Sequence, residues 1–125
     1  MNATQDIVRF SFKNSITAAS PVQSLKIADA WSTDLPGVPR VQLTWKAPKS
    51  LFGAKVSAYA IEYSADSGKS WTRVTGTTAT KYLLTSGIQA GAKYSYRVRA
   101  VTKVGSATKL GNASSAATFV ATAAP

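Results

Sequence analysis

Val41-Gln42-Leu43-Thr44-Trp45-Lys46-Ala47-Pro48 constrains the fold of this chain more than any other stretch. Apolar and polar residues alternate through it, which is the two-residue period of a strand. Val41, Leu43 and Trp45 fall on one face; Gln42, Thr44 and Lys46 fall on the other, and Pro48 ends the run. One dry face and one wet face belong to an antiparallel sheet covered on one side only. A buried Trp on such a strand points to a small β-sandwich.

The rest of the chain repeats the pattern between turn signals. Ser24 to Asp29 carries Leu25 and Ile27. Val56 to Ser64 carries Tyr59, Ile61 and Tyr63. Ser70 to Thr75 carries Trp71 and Val74, and Gly76-Thr77-Thr78 reads as its break. Thr80 to Thr85 carries Tyr82 and Leu84. Lys93 to Thr102 sets Tyr94, Tyr96, Val98 and Ala100 against Ser95, Arg97 and Arg99. Lys103 to Ser114 reads as a polar loop, and Ala116 to Thr122 closes with Phe119. With Arg40–Lys46, that makes seven strands from Val22 onward and no helical period of useful length. The expected fold is an all-β, seven-stranded antiparallel sandwich of the immunoglobulin-like class. The expected core is Trp45, Tyr59, Ile61, Tyr82, Leu84, Tyr96, Val98 and Phe119.

At 125 residues the chain suits one domain with a short appendage. We divide it into an N-terminal arm, 1–20, a sandwich domain, 21–122, and a tail, 123–125. The arm alternates Val8, Phe10 and Phe12 with Arg9, Ser11 and Lys13. That pattern suits a strand added to a sheet edge, its own or a neighbour's, which leaves oligomerisation through the arm open; a loosely ordered tail is the other reading.

The chain has no cysteine and no histidine. Disulfides, Cys-ligated metal sites and Ser-His or Cys-His dyads are therefore excluded. The acids are Asp6, Asp29, Asp34, Glu62 and Asp66, none close in sequence, so paired-carboxylate chemistry has no evident carrier. No catalytic residue, metal ligand or cofactor is expected, and the chain is read as a non-enzyme. Its formal charge of +10 favours polyanionic partners, although no three Lys or Arg residues are adjacent. No stretch has the length and apolarity of a transmembrane helix. Met1–Asp6 lacks the regions of a secretory signal. Asn2-Ala3-Thr4 and Asn112-Ala113-Ser114 fit the glycosylation sequon.

Over residues 21–122 the chain resembles the fibronectin type III family. Val41–Pro48 is similar to its second strand, and Val56-Ser57-Ala58-Tyr59-Ala60-Ile61-Glu62-Tyr63 to its third. Asp66-Ser67-Gly68-Lys69-Ser70-Trp71 looks like the hairpin of many bacterial members. Ile88-Gln89-Ala90-Gly91-Ala92-Lys93-Tyr94 is similar to the tyrosine corner, with Ile88 for the usual Leu and Ala90 for the usual Pro. Tyr94–Val101 followed by Gly105 looks like the sixth strand and its loop. The resemblance implies a structural role for Tyr94.

It also implies that the loops after strands two, four and six gather at one end. Here these are Ala47–Lys55, Thr75–Ala79 and Thr102–Ser114. Lys49, Leu51, Phe52 and Lys55, with Lys103 and Lys109, would form an apolar patch flanked by cations. The alternative is that Leu51 or Phe52 folds back to cap the core. Arg97 and Arg99 face outward beside Ala58 and Ala60, as a basic stripe for anions or as a solvated face paired with Glu62. Trp71 is expected as a rim residue over the core. The Arg-Gly-Asp tripeptide is absent.

The leading functional expectation is a non-catalytic module on a surface or larger assembly, a phage virion structural or decoration protein attached through Val8, Phe10 and Phe12. Its partners would be protein subunits or acidic cell-envelope glycans, at a virion or cell surface. Alternatives are a spacer or carbohydrate-adhesion module of a secreted bacterial glycan-degrading enzyme, and a basic domain binding nucleic acid. Missing aromatic interleaving on the Arg97 stripe counts against nucleic acid.

Overall fold

The computed structural model describes residues 17–85, 87–123 and 125. Two antiparallel sheets pack face to face. The first orders β1 (Gln23–Asp29), β2 (Val41–Lys46) and β5 (Lys81–Leu84) as β1-β2-β5. The second orders β4 (Thr72–Thr77), β3 (Lys55–Ser64), β6 (Lys93–Val104) and β7 (Ala107–Ala113) as β4-β3-β6-β7, and β8 (Ala117–Val120) also pairs with β6. No helix in the described residues is long and apolar enough to cross a membrane.

The alternation on β2 does what its period requires. Val41, Leu43 and Trp45 are buried, while Thr44 and Lys46 are exposed. From β3 and β6 come Tyr59, Ile61, Tyr96, Val98 and Ala100 to meet them. Trp45 meets Tyr59 edge to face at 5.5 Å, joining the sheets through an aromatic contact of the favoured geometry. Tyr82 and Phe119, expected inside, are half-buried against this cluster.

Three expectations need correction. Lys103–Ser114 is not a loop: β6 runs on to Val104, and β7 returns along it. β7 is an edge strand with Ala107 to Leu110 all exposed, so burial imposes no alternation there. The closing strand is consequently in two pieces, β7 and β8, both on β6, and the structure has eight strands where seven were expected. Gly76 does not break its strand: β4 continues to Thr77, with Gly76 opposite Ala60.

The core also reaches back past Pro21. Ala19 is 0% exposed, and its carbonyl accepts from the Asn112 backbone N–H at 3.0 Å and from Asn112 Nδ2 at 3.2 Å. Ser20 N donates to the Ser50 carbonyl and Ser50 N to Ser20 Oγ. Ala19 and Ser20 thus pack with the domain, clamped between β7 and the Ala47–Ala54 loop.

Candidate functional site

Strand direction decides which connections share an end. β3 starts where β6 finishes, with Lys55 directly opposite Lys103. β2 ends at Lys46, and Trp45 N donates to the carbonyl of Thr80 just before β5. Segments 46–55, 77–81 and 102–109 therefore lie at one pole. They hold Lys46, Lys49, Lys55, Lys81, Lys103 and Lys109, with no Arg and no acid. The other described acids sit elsewhere: Asp29 and Asp34 flank the opposite end of β1, Asp66 lies in the β3–β4 turn, and Glu62 lies near it. Among the described residues, these three segments bring six lysines together with no acid among them.

Phe52 stands at this pole. It is 61% exposed, while Leu51 beside it packs against the core. The turn explains the division. Ala54 N donates to the Leu51 carbonyl at 3.1 Å, and both central residues have positive φ, 52° at Phe52 and 84° at Gly53. That is the type I′ pattern, usual for Asn-Gly and costly for a bulky aromatic. The turn holds the Phe52 ring away from the core. Val104, 49% exposed on the adjacent connection, is the second apolar tip. Lys49, Lys55 and Lys103 are exposed, as is Lys109, whose carbonyl accepts from Thr102 Oγ1 at 3.4 Å.

Arg97 and Arg99 lie on the outward face of β6 and are committed within the fold. Arg97 Nε donates to Glu62 Oε1 at 2.6 Å, and its guanidinium lies 4.3 Å from the Trp71 ring centroid. Arg99 Nε donates to the Gly111 carbonyl at 2.8 Å, and its Nη1 is 4.0 Å from Glu62 Oε2. Trp71 therefore does not cover the core: it stacks on the outer face, where Arg97 provides the partner. This face is a packed polar cluster around one carboxylate.

Val8, Phe10 and Phe12 lie outside the described residues, as does the Asn2 sequon. At the other sequon, Asn112 Nδ2 is engaged by Ala19, and Ser114 is buried, its Oγ accepting from Val98 N at 3.0 Å. The folded domain therefore holds both sequon groups in its own hydrogen bonds.

Sequence reasoning did not find the hydroxyl-lined cavity of about 330 Å³ at the far end of β6, bordered by Ser64, Ser67, Lys93, Ser95 and Thr118. Ser95 and Thr118 share a 2.9 Å hydrogen bond there. Small hydroxylated residues on three separate strands leave no linear motif. Among the described residues, no group of three or more His, Cys, Asp or Glu residues could hold a metal.

Comparison with known proteins places this architecture. Residues 20–116 match the family model described as Fibronectin type III domain. Human Myomesin-2 is 35% identical over 86 residues, covering 58% of this chain and 6% of Myomesin-2. Domains A168–A170 of titin superpose with a TM-score of 0.64 at 26% identity, over 82% of this chain and 32% of that one. The twitchin kinase region of C. elegans gives 0.67 at 24% identity, over 82% and 16%. A human fourth FNIII domain gives 0.64 at 17% identity, over 89% and 84%. The last two likenesses speak to the fold alone. The chain spans a small part of Myomesin-2 and of the titin and twitchin chains.

Proposed function

The chain belongs to the fibronectin type III domain family, and on that premise we propose that it is a non-catalytic binding and structural module of a larger assembly that presents its basic loop pole to an acidic partner. Domains of this family are in general non-catalytic structural or binding modules. The observation that carries the reading is the gathering of Phe52 with six lysines at one pole, where the described residues supply no acid. Charge placed this way favours an acidic partner and speeds the encounter. Matching only 6% of Myomesin-2 supports a module-like role.

The narrower reading is a virion structural or decoration protein attached through its arm. Its support is the Val8, Phe10, Phe12 alternation. Ser20, which follows this segment, is hydrogen-bonded to Ser50 in the connection that carries Phe52.

The pole is tested by titrating soluble poly-L-glutamate into the full chain. Lys55→Glu with Lys103→Glu should abolish binding, and Lys69→Glu with Lys93→Glu, an equal charge change at the far end, should leave most of it. Equal loss in both pairs would reduce the pole to net charge and overturn the reading.

A further inference from the structure

The chemistry of the pole narrows what its acidic partner is. Two neighbouring connections carry the same arrangement, an exposed apolar residue bracketed by lysines. Phe52 stands between Lys49 and Lys55, and Val104 stands between Lys103 and Lys109. The register Lys55 opposite Lys103 brings the two connections side by side. We propose that this pole docks on an anionic lipid surface, with Phe52 and Val104 entering the headgroup boundary and the lysines meeting lipid phosphate and carboxylate groups. The inference rests on the basic pole being the binding surface and names the partner it takes.

Two features favour a lipid surface over an acidic protein, and a third shows that the ring is held outward. Phe52 projects alone from a two-residue turn, with Leu51 turned inward and Ala54 buried. A single protruding ring needs a matching pocket on a protein, whereas a fluid headgroup region accommodates it without one. Every cation in the three segments is lysine, although Arg40, Arg73, Arg97 and Arg99 stand elsewhere in the domain. Arginine's planar fork suits fixed carboxylates; lysine, a flexible point charge, suits a diffuse anionic sheet. The Phe52 backbone is held at φ 52°, where a bulky residue is disfavoured, and the turn spends that strain on presenting the ring to solvent.

The test is co-sedimentation of the full chain with vesicles of phosphatidylcholine alone and of phosphatidylcholine mixed with phosphatidylserine. Binding is expected to the mixed vesicles only, and to fall as salt is raised. Lys55→Glu with Lys103→Glu should weaken it by about 30-fold or more, at about 1 kcal/mol for each lysine lost near such a surface. Phe52→Ser should weaken it by about tenfold, since the apolar contact adds to the electrostatic one. Lys69→Glu with Lys93→Glu should retain most of the affinity. Failure to bind mixed vesicles, an unchanged affinity in Phe52→Ser, or equal losses in the two charge pairs would overturn the lipid inference. The poly-L-glutamate titration separates the two failures. If the pole holds the peptide but not the vesicles, only the lipid partner falls; if it holds neither, the pole falls as a binding surface.

Discussion

Arg97 on β6 and Glu62 on β3 stand directly opposite in register, and Arg97 Nε donates to Glu62 Oε1 at 2.6 Å. Trp71 covers the guanidinium from one side, and Arg99 approaches the other carboxylate oxygen. The pair lies on the outward face, yet the side chains are only 24% and 14% exposed. Glu62→Ala should therefore cost more than an ordinary surface pair, about 1–3 kcal/mol, because it leaves Arg97 and Arg99 crowded around a missing acceptor. Urea unfolding measures it; a change indistinguishable from zero would make the cluster a solvated face.

Gly111 should not tolerate even a methyl group. A Cβ there would sit 2.8 Å from the Ala100 carbonyl oxygen and 3.4 Å from the Cβ of buried Ala19. The clash is with backbone, which cannot rotate away. Gly111→Ala is expected to cost about 1–3 kcal/mol in urea unfolding.

Phe52 should show the opposite sign. Phe52→Asn relieves a left-handed backbone position that Asn occupies readily, and it removes no core contact. The variant is expected to be about 0.5–1 kcal/mol more stable by urea unfolding. In the same variant, vesicle binding should drop.

Asp66 sets an acid-side dependence. Hydrogen bonds from Ser64 Oγ, then from Ser70 Oγ and Ser70 N, hold its pKa at about 2, below the ordinary 3.8. A lowered folded pKa gives stability that is present above the unfolded value and lost as pH falls toward the folded one. Thermal unfolding between about pH 4 and pH 2 should thus show a loss in the native chain that Asp66→Asn lacks. The group is fully exposed, so the difference will be small.

The arm makes a separate prediction. If it adds as a strand to a neighbouring copy, light scattering should find the full chain assembled. Replacing Val8, Phe10 and Phe12 by Ser in the full chain should return it to a monomer. Equal masses would exclude self-assembly through the arm.

The hydrophobic period was enough to find β2, β3 and β6, because both their burial and their alternation are written residue by residue. Trp45, Tyr59, Ile61, Tyr96 and Val98 are core for that reason. The same logic failed at β7, whose exposed Ala107–Leu110 follow no pattern because nothing covers them. It failed at Ala19 and Gly111 too. Their importance lies in a contact across 92 residues of chain, from 19 to 111, and small residues carry no signal in isolation.

What the sequence determined by itself is local: which residues alternate, where turns fall, which chemistries lack their residues, and the excess of positive charge. The tertiary structure decided how those pieces combine. Only the pairing of β3 with β6 sets Lys55 against Lys103, and only strand direction gathers the lysine-bearing connections at one pole. Only the turn at Leu51–Ala54 sends Leu51 inward and Phe52 outward, a division their similar hydrophobicity does not encode. The physical reason is common to the first two. Burial period is a property of neighbouring residues, whereas register and polarity are properties of strand pairs far apart in sequence.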